Sequence, residues 1–152
     1  MTAPTVSGLG HFDGKTHVLP LRVYYEDTDL SGVVYHANYL RYMERARTEF
    51  FRLAGVAKMA DLDNDEPTAW AIREVRASYH RPARVDDALT VRTKLTAISG
   101  ARIEAVQKIY AGEILLMEGW IQACIITLPG KPRRLPISLR DLLTPFLVET
   151  DT

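Results

Sequence analysis

Between a strand-like and a helix-like segment the chain reads Tyr24-Tyr25-Glu26-Asp27-Thr28-Asp29-Leu30-Ser31-Gly32-Val33-Val34-Tyr35-His36-Ala37-Asn38-Tyr39. Three carboxylates, Glu26, Asp27 and Asp29, thus stand just ahead of a helix. The first turn of a helix has N–H groups with no intrahelical acceptor and carries the positive end of the macrodipole. A carboxylate there stays ionised and an oxyanion there is stabilised. Such a segment can offer a base or nucleophile and an oxyanion-binding N–H to the same carbonyl carbon. The same residues also read as turn formers, with Asp27 and Asp29 in Asx-turns and Gly32 relaxing the backbone. On the chemistry of the residues alone, the turn reading is the better one.

Other site patterns are absent. The sequence has no Gly-x-Ser-x-Gly elbow and no Gly-rich phosphate loop. His11, His17, His36 and His80 lack metal-ligand spacing, so no metal site is expected. The one cysteine, Cys124, falls in an apolar strand and reads as a small core residue; no intrachain disulfide is possible.

The elements that must position the acidic segment are legible from periodicity. Val18 to Tyr25 alternates, with Leu19, Leu21, Val23 and Tyr25 on one side, as a strand does. Tyr39, Met43, Ala46, Phe50 and Leu53 recur at helical spacing and form one apolar stripe. Asn38 is the expected N-cap, Gly55 the expected stop, and Arg45 with Glu49 an expected i,i+4 pair. Ala60 to Pro67 reads as a solvated acidic loop. Four strands follow. Thr68 to Tyr79 shifts its parity near Arg73-Glu74, which predicts a bulge. Leu89 to Ala97 and Ile103 to Ile109 alternate cleanly around a Ser99-Gly100 turn. Ile114 to Leu128 is apolar on both faces and predicts a central strand. Ser138 and Asp141, at capping-box spacing, predict a short C-terminal helix carrying Leu142, Leu143 and Phe146. A strand, a long helix and four strands predict an α+β domain: an antiparallel sheet with one helix across it. The sheet edge and open ends invite a second subunit.

Composition narrows the partners. The 152 residues suit one domain, expected over 17–147 behind a flexible leader at 1–16 that lacks the apolar core of a secretory signal. The 19 basic and 19 acidic residues cancel, which argues against general electrostatic binding of nucleic acid. No stretch is apolar and long enough to span a membrane, so a cytoplasmic location is expected.

The acidic string changes its meaning when read with its surroundings. Val23 to Asp29, Gly32-Val33-Val34-Tyr35-His36-Ala37-Asn38-Tyr39-Leu40 and Met43-Glu44-Arg45-Ala46-Arg47-Thr48-Glu49 closely resemble the 4-hydroxybenzoyl-CoA thioesterase family of hotdog proteins. Within it they look nearest to the bacterial acyl-CoA thioesterase branch whose genes accompany the Tol–Pal envelope system. Weaker matching features are Tyr79, Pro82-Ala83, Asp86 or Asp87, Lys131-Pro132 and Leu135-Pro136; Leu30-Ser31 departs from the family's small Ala-Gly pair. The resemblance implies a five-stranded antiparallel sheet wrapped around the long helix, in dimers that often pair into tetramers. It implies Asp29 as the catalytic carboxylate and the backbone N–H of His36 as the group that polarises the thioester carbonyl.

The substrate so implied is an acyl-CoA, with no separate cofactor because coenzyme A belongs to the substrate; acyl carrier protein is an alternative carrier. Asp29 could attack the carbon directly or activate water. The His36 side chain is either a substrate contact or a structural histidine, and Tyr35 either a pocket wall or core packing. Glu26 and Asp27 read as structural, through turn contacts or a partner such as Arg45. Arg73, Arg76, Arg81, Arg84, Lys131, Arg133 and Arg134 each read either as solvated surface charge or as a contact for the coenzyme phosphates; Lys131, Arg133 and Arg134, clustered after the last strand, are the foremost candidates. The competing readings are another hotdog chemistry such as a dehydratase, and an acyl-binding, envelope-associated module with little turnover.

Overall fold

The computed structural model of the chain describes residues 10–56, 60–61 and 65–149, with 60–61 as backbone alone. Its elements are β1 (His11–Asp13), β2 (Thr16–Arg22), a 3-10 turn at Tyr25–Asp27, α1 (Asn38–Leu53), β3 (Ala60–Asp61) and β4 (Thr68–Tyr79). Then come β5 (Ala88–Ile98), β6 (Arg102–Ala111), β7 (Ile114–Thr127), β8 (Pro132–Arg133), α2 (Ile137–Leu143) and a 3-10 turn at Thr144–Phe146. One antiparallel sheet runs β1-β2-β5-β6-β7-β4-β3, with β8 alongside β7. Five long strands carry it, and β1, β3 and β8 add two or three residues each.

Alternation sends Leu89, Val91, Leu95, Ile103, Ala105, Ile109, Met117 and Ile121 to one side of the sheet, where all are buried. Against them lie Tyr39, Tyr42, Met43, Ala46, Phe50 and Phe51 of α1. Fully burying each large apolar side chain contributes about 1.5–3 kcal/mol, so this sandwich is the main source of stability. Gly119 of β7 lies beneath the Met43 side chain. A Cβ there would stand 2.5 Å from the Met43 Cε and 2.7 Å from its Sδ, so the Met43 side chain fills the space that a side chain at 119 would need.

One polar network crosses the apolar layer. Gln107 is fully buried; its Nε2 donates to the Met43 carbonyl at 2.9 Å and to Thr93 Oγ1 at 3.0 Å. Its Oε1 accepts from the Arg47 guanidinium at 2.9 Å. The amide therefore ties the helix backbone to β5 and β6 at one fixed register.

The expected bulge is present. Register shifts between Ile72, paired with Ala123, and Glu74, paired with Gln122. Several expectations are corrected. Residues 10–16 of the expected leader form part of the β1–β2 hairpin, because Phe12 packs its ring on Phe50 and Phe146 at 5.0 and 4.4 Å; residues 1–9 lie outside the described residues. The expected acidic loop contains β3, which pairs with Thr68 and Ala69; residues 62–64 lie outside the described residues. Tyr25 is 85% exposed, since the chain leaves the sheet at Arg22 and coils into the 3-10 turn. Ala37 rather than Asn38 is the N-cap, because the Asn38 side chain turns away to a buried carboxylate. Glu49 pairs with Arg52 at 3.4 Å, and Arg45 lies over the Tyr42 ring. The last helix starts after Pro136 with no side-chain cap, its fixed φ being suited to that position. Leu53 is 40% exposed at the frayed end of α1. Cys124 is half-buried, on the side of β7 away from the helix.

Gly119→Leu should crowd the Met43 side chain under α1 at a cost of about 1–3 kcal/mol. Urea unfolding followed by circular dichroism would register this as a lowered midpoint; an unchanged midpoint would mean that the close approach is not a constraint.

Candidate active site

The segment between β2 and α1 folds as a small hairpin. Asp29 N–H donates to the Val33 carbonyl at 3.0 Å, Gly32 N–H to the Asp29 carbonyl at 3.1 Å, and Thr28 bridges Val34. Gly32 closes the turn at φ 81°, a conformation glycine adopts at no steric cost. Asp29 Oδ1 accepts from the Ser31 N–H at 2.8 Å and from its hydroxyl at 2.5 Å. The turn reading thus holds of Asp29, with its carboxylate left exposed. Those donors, with His36 adding a smaller electrostatic contribution, keep the exposed Asp29 carboxyl below its ordinary value. Among the described residues none hydrogen-bonds Oδ2.

The hairpin is held on both arms. Asp27 is nearly fully buried; its Oδ2 accepts from the Tyr24 N–H at 2.8 Å and its Oδ1 from the Asn38 side-chain amide at 3.0 Å. The Tyr35 N–H donates to the Asp27 carbonyl at 3.0 Å. Burial, and then the Asp27 carboxylate beside it, push the Tyr42 hydroxyl well above the ordinary phenol value. From the other side comes the loop after β4. The Val34 N–H donates to the Ala83 carbonyl at 2.8 Å, and the Ala83 N–H to the Tyr39 hydroxyl at 2.9 Å. Asp86 adopts φ 72°, and Val23 and Asp87 are joined by a backbone bond of 2.9 Å.

At the helix mouth the Asn38 N–H is taken by the Tyr35 carbonyl at 2.8 Å. Among the described residues, the N–H groups of His36 and Ala37 have no acceptor. The Tyr79 hydroxyl donates to the His36 carbonyl at 2.9 Å. Because the peptide is planar and trans, that bond aims the Ala37 N–H the opposite way. Tyr79 also packs edge-on against Tyr39 and His36 at 5.5 and 6.4 Å, and Tyr35 and His36 lie 4.5 Å apart. Asp29, Tyr35 and His36 are all exposed on the protomer surface. An ionised carboxylate, two free amides and an open approach make a place where a carbonyl oxygen can be polarised while its carbon is attacked.

The structure does not bring the basic cluster to this place within one protomer. Arg133 pairs with Glu66, the Arg134 guanidinium lies against Gly100, and β8 lies beside Ile125 and Ile126 of β7. Tyr79 pairs with Met117, at the other end of β7. Eight residues of strand separate Met117 from Ile125, roughly 27 Å at the ordinary rise. Among the described residues no three His, Cys, Asp or Glu side chains gather as a metal site.

The Thioesterase superfamily pattern matches residues 31–118. The chain belongs to that family. This thioesterase is 42% identical over 122 residues to the acyl-CoA thioester hydrolase YbgC of Escherichia coli O6:H1, covering 79% of this chain and 90% of that protein. It is 36% identical to the acyl-CoA thioesterase YbgC of Haemophilus influenzae, over 77% of this chain and 86% of that one. A probable thioesterase from Bartonella henselae superposes with a TM-score of 0.75 at 40% identity, over 80% of this chain and 98% of that one. The antiparallel sheet around one long helix is the hotdog fold that the sequence resemblance implied.

Tyr79 and Asn38 make contacts at the helix mouth that the sequence reading did not give them. Tyr79 was visible only as a shared family position, and the polar Asn38 at a helix start suggested a cap. Two measurements test the geometry. Ser31→Ala should raise the Asp29 carboxyl toward the ordinary 3.8, read by carboxyl carbon NMR titration; an unmoved titration would mean that Ser31 does not hold it. Tyr79→Phe removes one hydrogen bond worth about 0.5–1.5 kcal/mol, so kcat should fall up to about 10-fold with KM and melting temperature little changed.

Proposed function

We propose that this thioesterase hydrolyses a short-chain or aromatic acyl-CoA to the free acid and coenzyme A. The observation that carries the reading is the pairing of an ionised Asp29 with unoccupied amides at the mouth of α1. The relatives named for acyl-CoA hydrolysis support it. The thioester oxygen sits at the His36 N–H, where negative charge developing in the transition state meets the helix dipole. Asp29 then acts in one of two balanced ways. As a nucleophile it forms a C–O bond to the acyl carbon, the C–S bond breaks, and the coenzyme thiolate leaves; water opens the resulting anhydride. As a general base it takes a proton from water, whose oxygen forms the new bond. Thiolate is a good leaving group, so neither route needs a strong general acid.

The working unit is a dimer joined through β4, and a pair of such dimers makes the tetramer. Among the described residues, the outer edge of β4 is paired only at Thr68 and Ala69, and Trp70 to Tyr79 is open. Ile72, Val75 and Tyr79 stay 41–46% exposed along it. An open strand edge pairs readily with a copy of itself. A two-fold axis near the middle of that edge sets Tyr79 of one protomer beside the Trp70 end of the other. The same axis carries the other protomer's Lys131, Arg133 and Arg134 from the far end of the sheet toward Asp29. The coenzyme phosphates fit that cluster, with the acyl group at the helix mouth. An acyl carrier protein could present the same thioester, and the branch resemblance points to a Tol–Pal setting. Among the described residues no helix is long and apolar enough to cross a membrane, which fits the proposed cytoplasmic location.

Thiol release from a panel of acyl-CoA chains tests the proposal. Wild-type protein should cleave short or aromatic acyl-CoA, and Asp29→Asn should lower kcat by about 10²–10⁴-fold without dissociating the dimer. Near-normal turnover by Asp29→Asn would mean that another group does the chemistry. No cleavage together with tight binding of acyl carrier protein would favour the binding module.

A further inference from the structure

A groove follows the seam between α1 and β4, starting beside the helix mouth. Its first part, about 280 Å³, lies between Leu40 and Met43 on the helix and Val75 and Ile121 on the sheet. Its second part, about 260 Å³, runs on to Phe51 and Trp70. Both parts are lined by Glu44, Arg47 and Ile72, so they are continuous. Phe51 stacks on Trp70 at 5.3 Å with their planes 12° apart and closes the far end.

Arg47 stands in this otherwise mainly apolar groove. Its guanidinium carries five N–H donors, and one nitrogen, NH1, is held at 2.9 Å by the fully buried Gln107. Gln107 in turn cannot rotate, since its own amide donates to Met43 and Thr93. The cation is thus aimed and largely desolvated, with the neutral Gln107 on one nitrogen and the weaker coulombic attraction of Glu44 beside it. Glu44 stands one turn away, solvent-exposed, and forms no ion pair with it among the described residues. For packing alone, an apolar side chain of similar size would serve at least as well. A fixed guanidinium fork midway along a mainly apolar groove is suited to a carboxylate, which it can bind through two hydrogen bonds.

We infer that Arg47 selects acyl groups whose far end is a carboxylate, that is, mono-thioesters of dicarboxylic acids. The inference rests on the reading of the helix mouth as the place where the thioester is cleaved. Arg47 is nine residues after Asn38, about 14 Å along the helix axis, and helical side chains lean back toward the N-terminus. The guanidinium therefore stands roughly 10 Å from the mouth. An extended acyl chain of about six carbons, with bonds of about 1.5 Å, spans that interval.

Non-hydrolysable thioether analogues of adipyl-CoA and hexanoyl-CoA test this without turnover. Isothermal titration of the full chain should show the carboxylate-ended analogue binding at least 10-fold tighter. Arg47→Met should bring the two to parity, and Arg47→Lys should keep part of the difference. In wild-type protein the Arg47 Nε–H resonance should move on adding the adipyl analogue and stay in place with the hexanoyl one, which needs no variant to fold. Equal affinities in wild type, an unmoved resonance, or a preference that survives in Arg47→Met would each overturn the inference. Cleavage is read separately. A wild-type protein that prefers the adipyl analogue but cleaves neither parent thioester would sink the hydrolytic reading and leave this one standing.

Discussion

The Asp27 carboxylate is the contact on which the arrangement of the helix mouth depends. It is almost wholly removed from water, yet both oxygens are matched by donors: the Tyr24 N–H and the Asn38 side chain. Leaving either oxygen unpaired would cost several times what the pairing contributes. The contact therefore joins the end of β2 to the start of α1 as one rigid corner. The Asp29 hairpin is built on that corner, and its return arm is gripped by the loop at Ala83. The exposed acid is thus positioned by a buried one two residues earlier.

The helix itself is fixed from beneath in two different ways. Met43 fills the space left open at Gly119, while Gln107 bonded to the Met43 carbonyl and to Arg47 sets its rotation and slide. A purely apolar interface would fill the space at many nearly equal registers. The buried amide has one satisfied arrangement. This matters because the free amides of His36 and Ala37 move with the first turn of α1.

Much of this was legible in the residues. The five long strands, the long helix and the Ile72–Glu74 irregularity follow from apolar periodicity, because burial on one face leaves a periodic trace. The carboxylate at Asp29 was legible only through the length of the motif; its local chemistry is that of a common turn, and the structure shows it making one with Ser31. What stayed hidden depends on long-range contact. Asn38 looked like a cap because helix-start statistics are local, whereas its partner is eleven residues back and buried. Residues 10–16 looked like a leader because three residues of strand leave little pattern, and Phe12 finds its place only against Phe50 and Phe146. The basic cluster looked adjacent to the acidic segment in function, yet strand length separates them within one chain.

The irregular step in β4 has a consequence for how the molecule can change. Before it, even-numbered residues face the helix; after it, odd-numbered ones do, so Ile72 and Val75 both line the groove and Tyr79 reaches His36. The strand works as a phase shifter. Losing the one extra residue would leave Tyr79 opposite Met117 and on the helix side, and would take away only the local bend and twist that the bulge puts into the strand. A deletion at the step and a deletion beyond it would therefore differ: the first removes a residue that has no partner on β7, while the second puts every later side chain out of phase with that strand.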